Sequence, residues 1–183
     1  MRLTSPFGRG AGMKTKNIAI YGMLAAAALL AGYVESRIPV FFAVPGMKLG
    51  LTNVLVLIAL YRLGNRGAMV VNLLRILLSA ILFGSLVSLW YSLAGGMLST
   101  LVMILLRHFH FHTVTTSVAG GISHNIGQIL VAVLLVETAA VGWYLVILWF
   151  SGMVSGALIG LLGAELLKRL PGSVTAEKGE GEA

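Results

Sequence analysis

The feature that most constrains this chain is a series of long apolar stretches joined by short connections. A helix needs about 20 apolar residues to cross the hydrocarbon layer, and in lipid only helices and closed barrels satisfy every backbone hydrogen bond. We distinguish six stretches, roughly over residues 17–36, 49–63, 67–86, 89–106, 114–136 and 143–167. A mean hydropathy of +0.96 agrees with this interpretation. The sequence therefore predicts an all-α integral membrane protein, a single bundle of six transmembrane helices.

The two ends of the chain differ from this apolar region. Residues 1–13 and 172–183 are mostly polar or small, which is typical of disordered segments. We therefore expect a transmembrane domain over residues 14–171 between two disordered ends. A cleaved secretory signal is a weaker interpretation of the first stretch, because the stretch is too long and AGYVESR is a poor cleavage site.

Positive charges are distributed unevenly among the connections. Lysine and arginine accumulate in cytoplasmic loops, and here they precede the first stretch, flank the second and fourth connections and follow the sixth stretch. This pattern predicts that both termini are cytoplasmic and that the protein lies in the cell membrane. Arg37 and Lys48 depart from it, since they flank the first connection, on the external side. The net charge of +7 therefore comes from basic residues at the ends of the apolar stretches, and no basic surface for nucleic acid is expected.

One arginine lies deep inside an apolar stretch. Arg75 is about 13 Å from the cytoplasmic edge of the third predicted span, and Asn72 and Ser79 share its helix face. Buried ionisable groups are costly in lipid and usually have a function. Because carboxylates are scarce in the spans, the guanidinium favours a ligand that carries carboxylate or phosphate. The alternative is that Arg75 binds backbone carbonyls, Glu35 or Glu137 within the fold.

A second polar group interrupts the fifth stretch, in the sequence GGISHNIGQILVA. His124 and Gln128 are one helical turn apart on one face, at a depth similar to that of Arg75, whereas Asn125 points about 100° away. With Asn53 of the second stretch, these side chains predict a binding cavity shared by several spans. A packed polar network without a ligand is the alternative.

Residues near the membrane surfaces complete the predicted site. Lys48 precedes the second span, near a helix N-terminus that favours anions. Trp90 and Tyr91 begin the fourth span, where they either join an aromatic belt or cap a pocket. The alternating histidines His108, His110 and His112 lack carboxylate or cysteine companions. They are interpreted as interfacial anchors, and no metal site is predicted.

Small residues recur every fourth position in several stretches, as in Gly152, Gly156 and Gly160. In lipid, small residues allow helices to pack closely, so most of these positions are expected to lie inside the bundle. At least one such face is a candidate for docking a partner subunit, and the pair Ala27 and Ala31 in the alanine-rich first stretch is of this kind.

The absence of certain residue types from the sequence excludes several kinds of catalytic site. The chain has no cysteine and no aspartate, so a thiolate nucleophile, a Ser-His-Asp triad and the aspartate clusters of prenyl-chain synthases cannot be assembled. It also lacks the G-x-x-x-x-G-K-[ST] loop that binds ATP phosphates. Catalysis by this chain alone is not expected, and no cofactor is predicted.

The segments VPGMKLGLTNVLVLIALYRLG, LLRILLSAILFGSLVS, SLAGGMLSTLVMILL and AGGISHNIGQILVA resemble the bacterial Gx transporter family, often labelled heptaprenyl diphosphate synthase component I. The resemblance covers roughly residues 16–167. Members are similar to substrate-binding (S) components of energy-coupling factor transporters. This implies six helices, a ligand site near the external side, and energy from a separate transmembrane subunit and two ATPases. It further implies that the first helix docks the coupling subunit and that FFAVPGMK gates the pocket.

Two functions follow from these observations. The first is the substrate-binding component of an ATP-driven uptake transporter for a small anionic or polar solute. In this hypothesis Arg75 and Lys48 neutralise the solute, and the carboxamides and His124 orient it. The alternative is a non-catalytic membrane subunit of heptaprenyl diphosphate synthase. Only the first requires ATPase partners, whereas both require a lipid bilayer.

Overall fold

The architecture is known from a computed structural model, which describes residues 8–37, 49–137 and 143–170. The helices are α1 (Gly8–Ser36), α2 (Leu51–Phe83), α3 (Leu86–His108), α4 (Thr113–Val136) and α5 (Tyr144–Arg169). Within these ranges, five helices are long and apolar enough to cross a membrane. The chain is therefore an all-helical, multi-pass membrane protein, as the apolar stretches predict.

The second and third predicted spans are the two halves of α2, which are divided at Gly64 without an intervening loop, so six separate helices are not confirmed. The helix has 33 residues and, if straight, would be about 50 Å long. It is interrupted at Gly64, whose φ of 77° and ψ of −175° lie in a region open essentially to glycine alone. A single residue thus replaces the loop that the sequence predicts.

Both ends of α2 lie beside the same end of α1. At its beginning, the backbone N–H groups of Gly50 and of the next residue donate to the two carboxylate oxygens of Glu35, over 2.7 and 3.1 Å. At its other end, the ring of Phe83 is 5.2 Å from the ring of Tyr33. Residues 33 and 35 are close neighbours on α1. The helix α2 therefore folds back at Gly64.

The main hydrophobic core lies between the two halves of α2, residues 51–63 and 65–83. Partly buried side chains of α1 and α3 pack against it. Its fully buried members are Val56, Leu57, Ala59, Leu60, Leu63, Ala68, Val71 and Met103. A smaller core joins α2 to α5 through Val54, Ile58 and Ile159. These cores fix the first half of α2 between α1 and α5.

Helices α4 and α5 pack backbone to backbone. A Cβ atom added to Gly156 would lie 2.7 Å from the Cα atom of Val118, and one added to Gly160 would lie 2.8 Å from the Cα atom of Val114. Any side chain at these glycines would therefore push the helices apart. The prediction that the glycine series of the last span packs inside the bundle is confirmed.

Basic side chains connect three chain segments at one end of the bundle. The guanidinium of Arg62 donates to the backbone carbonyls of Leu167 and Leu170 at the end of α5. Arg107, at the end of α3, donates to the side-chain oxygen of Asn65 over 3.1 Å. The bend of α2 and the ends of α3 and α5 thus lie together.

The structure extends the first helix further than the sequence predicts. Helix α1 begins at Gly8, within the segment 1–13 that was expected to be disordered. Residues 1–7 and 171–183 lie outside the described residues. The division into a transmembrane domain and two disordered ends remains a prediction.

Candidate functional site

The interior of the bundle contains a polar cluster centred on Asn72, which is completely buried. Its side-chain nitrogen donates to the carbonyl of Gly96 and to the hydroxyl of Thr100, both over 2.9 Å. Its side-chain oxygen accepts a 2.9 Å hydrogen bond from Nε of Arg75. Both N–H donors of Asn72 are therefore used within the protein in this arrangement, and neither can bind a solute. The side-chain oxygen of Asn72 positions Arg75.

The guanidinium of Arg75 is only partly used by the protein. Within the described residues its one hydrogen bond is that to Asn72. The ion pairs there are those of Glu165 with Lys168 and Arg169, so Arg75 has no salt bridge among them. Glu35 is close enough for its negative charge to act on Arg75. Within the described residues, the terminal nitrogens of Arg75 therefore have no hydrogen-bond partner.

Glu35 is a buried carboxylate, 7% exposed, which the sequence places near a membrane surface without a role. Both of its oxygens accept backbone N–H groups at the start of α2. A negative charge is stabilised at a helix N-terminus, so Glu35 occupies the anion-binding position that the sequence assigns to a ligand near Lys48. Lys48 itself, and the proposed gate FFAVPGMK, lie outside the described residues.

The second predicted polar face lies on a neighbouring face of α3. A Cβ atom added to Gly95 would lie 3.1 Å from Cε1 of His124 and 3.0 Å from Cγ of Gln128. One added to the adjacent Gly96 would lie 3.2 Å from the side-chain nitrogen of Asn72. His124 and Gln128 therefore lie at the same level of α3 as the Asn72 cluster, on a face about 100° away.

Asn125 has a different environment from His124 and Gln128. Its side-chain nitrogen donates to the carbonyl of Leu148 over 2.6 Å, and the residue is 9% exposed. This bond joins α4 to α5. In this arrangement the side chain ties two helices together, which agrees with its position about 100° away from the face of His124.

A small cavity lies where α2, α3, α4 and α5 meet. Its interior space is about 10 Å³, enough for about one water molecule. It is lined by Leu49, Asn53, Ser99, Met103, Ser117, Gly120, Gly121, Ser155, Gly156 and Ile159. Among the predicted ligand-binding residues that the structure describes, Asn53 is the one that lines it. Ligand pockets are usually some 300 Å³ or larger, so this is a closed arrangement.

The remaining predicted residues lie at the periphery. Trp90 is exposed and Tyr91 is half-buried, and neither lines the cavity. Ala27 and Ala31 are half-buried on α1. The histidines of the connection between α3 and α4 are exposed. In the described part of the chain, no group of three or more potential metal ligands is found.

The sequence pointed to Glu35 only as an alternative partner of Arg75, and it did not point to Ser99. An acidic residue that precedes a helix can cap the N-terminus of that helix, and this is the signal for Glu35. The connection between Glu35 and the start of α2 is long, so their pairing is a tertiary contact. Ser99 has no such signal, because serines in apolar helices commonly bond to their own backbone. Ser99 differs from such serines only through the packing of α3 against its neighbouring helices.

A family model described as heptaprenyl diphosphate synthase component I matches residues 24–166. The chain belongs to this family. The matched range includes the Asn72 cluster, Glu35 and the cavity, so the whole candidate site belongs to the family's region. No curated protein and no solved structure matches the chain. The description of this family is the same as the label of the family that the sequence resembles. The likeness to substrate-binding components of transporters remains a prediction.

Proposed function

We propose that the chain is the substrate-binding component of an uptake transporter in the cytoplasmic membrane, and that it takes a small polar solute bearing a carboxylate or phosphate. Energy for uptake comes from a separate coupling subunit with ATPases. The proposal depends above all on Arg75, a half-buried guanidinium on α2 most of whose donors have no partner among the described residues.

The proposed topology has six spans, with the two halves of α2 crossing in opposite directions. It is supported by the fold-back of α2 at Gly64, which brings both ends of α2 to one end of α1. Both termini are cytoplasmic in this topology. Arg62 and Arg107 then lie together on the inner side, as expected for basic residues near helix ends.

The chemistry of Arg75 supports an anionic group on the solute. An arginine has five N–H donors, and here Nε is held by Asn72, which fixes the plane of the guanidinium. The other donors can form the paired hydrogen bonds that carboxylate and phosphate accept. Glu35 is committed to the start of α2, so its charge moderates that of Arg75 without filling its donors.

The other predicted residues act on the solute only when the bundle opens. His124 and Gln128 lie on a different face of α3 from Asn72, the partner of Arg75, and the cavity beside Asn53 holds about one water molecule. A movement of α2 relative to α3, which are joined by hydrogen bonds of Asn72, brings these side chains toward a common space. In this proposal Lys48 adds positive charge from the external side, and Trp90 with Tyr91 covers the opening.

The coupling subunit docks on α1 in this proposal. The outward side of α1 is rich in small residues, with Gly22 and Ala26 exposed and Ala27 and Ala31 half-buried. Small residues permit close approach of another helix in lipid. Ala27→Leu and Ala31→Leu are therefore expected to weaken association with the coupling subunit while leaving solute affinity unchanged.

The test is solute-dependent thermal stabilisation of the purified protein, with the solute first identified among molecules retained during gentle purification. Arg75→Leu is expected to abolish stabilisation and Arg75→Lys to retain part of it, because lysine keeps the charge but loses the paired geometry. Arg66→Leu is the matched control, since Arg66 is exposed at the bend of α2. A folded Arg75→Leu protein with full affinity contradicts the proposed role.

A second candidate is a membrane subunit of a heptaprenyl diphosphate synthase, and the description of the matched family favours it. The two candidates differ in their partners. Co-purification of ATPases and a membrane coupling subunit supports transport, whereas co-purification of a soluble, aspartate-rich synthase supports the second candidate. In the second case, prenyl chain synthesis by the partner should depend on the presence of this chain.

A further inference from the structure

The cavity between α2, α3, α4 and α5 has a lining that differs from that of the Arg75 region. Its polar side chains are Asn53, Ser99, Ser117 and Ser155, each from a different helix. Among the described residues that line it, none is charged. Hydroxyl and carboxamide groups both donate and accept hydrogen bonds. The lining is therefore suited to an uncharged polar group.

Ser99 provides an independent indication of a ligand. The residue is 1% exposed, and its hydroxyl oxygen has no hydrogen-bond partner among the described residues. A buried serine in a helix usually donates to a carbonyl of its own helix, as Ser123 does to Ala119 over 2.7 Å. An unmade hydrogen bond on a buried hydroxyl is costly, so the hydroxyl of Ser99 points to a hydrogen-bonding partner outside the described residues, such as a ligand.

We propose that this cavity binds an uncharged hydrogen-bonding group of the solute, a hydroxyl, carbonyl or amide, and that Ser99 is its specificity-determining residue. This inference rests on the proposed function for the identity of the ligand. In the closed arrangement the space admits about one water molecule, which the solute group replaces. The solute thus carries two features, an anionic group for Arg75 and an uncharged polar group for Ser99.

The consequence is selectivity by hydrogen bonding. A site built to pair with a polar group rejects analogues that lack this group far more strongly than an apolar pocket rejects a missing methylene. The walls of the cavity add a size limit, because a Cβ atom on Gly120 would lie 2.7 Å from Cγ of Met103 and 3.3 Å from the hydroxyl of Ser99. Only a small group fits between these side chains.

The test uses a single cysteine as a reporter, which is possible because the chain has none of its own. In Ser155→Cys, placed in full-length protein in nanodiscs, the new thiol lines the cavity and is modified with the neutral reagent methyl methanethiosulfonate. Acetamide and acetate have nearly the same shape but differ in charge. The reagent and both probes are larger than the closed cavity, so they enter it when the bundle opens. In the opened cavity we expect acetamide to slow the modification about threefold or more, and acetate to leave the rate unchanged.

The role of Ser99 is tested in the same background. Ser99→Ala should remove the protection by acetamide, whereas Ser123→Ala, which deletes a hydroxyl bonded within its own helix, should preserve it. Equal protection by acetamide and acetate, protection that survives Ser99→Ala, or a thiol that is never modified each overturns the inference. The labelling requires no transported solute. Full solute affinity in Arg75→Leu would contradict the proposed function, whereas missing acetamide protection would contradict this inference, so the two failures are distinguishable.

Discussion

The α4–α5 contact and the α2–α3 contact hold helices together by different means. Between α4 and α5, glycines bring the two backbones so close that an added Cβ atom on Gly121 would lie 2.5 Å from the carbonyl oxygen of Gly152. Between α2 and α3, two buried hydrogen bonds run from the side chain of Asn72 to Gly96 and Thr100, and Asn72 is also bonded to Arg75 within α2. The first contact is set by shape, and the second is set by polar groups.

This difference indicates which contact can change during function. Apolar lipid gives helices no hydrophobic reason to associate, so close van der Waals packing and interhelical hydrogen bonds must do so. A glycine contact has one good arrangement and loses its packing when the helices separate. The groups of a polar network can replace hydrogen bonds to one another with hydrogen bonds to a ligand. We therefore expect α4 and α5 to move as a unit while the polar side of the bundle responds to the solute.

The largest expected effect comes from filling the glycine contact. Gly156→Leu places a side chain where even a Cβ atom would be 2.7 Å from the backbone of Val118, so the free energy of unfolding should fall by about 3 kcal/mol or more. It is measured by titration with sodium dodecyl sulfate. Gly22→Leu is the control, because an added Cβ there meets nothing within 4 Å. Equal stability of the two variants would show that α4 and α5 are not held by shape.

Removing the centre of the polar network should have an intermediate effect. Asn72→Leu deletes three hydrogen bonds and leaves the buried Nε of Arg75 without its acceptor, so we expect a loss of about 2 kcal/mol in the same titration. Ser79→Ala, an exposed position on the same half of α2, should change the free energy of unfolding little. If Asn72→Leu is as stable as the unmodified protein, the network contributes nothing to the α2–α3 contact.

The smallest effect is expected for the polar group on the glycine side. Asn125→Ala removes one hydrogen bond to the carbonyl of Leu148, which stays within a continuous helix, so the loss should be about 0.6 kcal/mol, typical of interhelical hydrogen bonds in membranes. A loss as large as that of Asn72→Leu would contradict the comparison, because it would make the α4–α5 contact dependent on polar groups as well.

The sequence predicts the helical membrane character well and the interior arrangement less well. Hydropathy locates the apolar stretches because the membrane imposes their length. It does not show that the two halves of α2 are divided by Gly64 alone, because the break at Gly64 needs no loop of polar residues. Helical spacing correctly groups Asn72 with Arg75, a local relation that the hydrogen bond between them reproduces.

Tertiary relations explain what spacing misses. The sequence suggests that Arg75 and His124 share one cavity, since both lie near mid-membrane. The structure places His124 and Asn72, the hydrogen-bond partner of Arg75, against the adjacent residues Gly95 and Gly96 of α3, and a shared cavity remains a prediction. The capping of α2 by Glu35 joins residues 15 positions apart, and the hydroxyl of Ser99, which has no hydrogen-bond partner among the described residues, lies where four helices meet.

The most direct test of the central role of Arg75 is mass spectrometry of the small molecules retained by gently purified protein. The unmodified protein is expected to retain a solute with a carboxylate or phosphate, and Arg75→Leu, shown to be folded by its circular dichroism spectrum, is expected to retain none. Retention of the same solute in the same amount by folded Arg75→Leu would contradict the account.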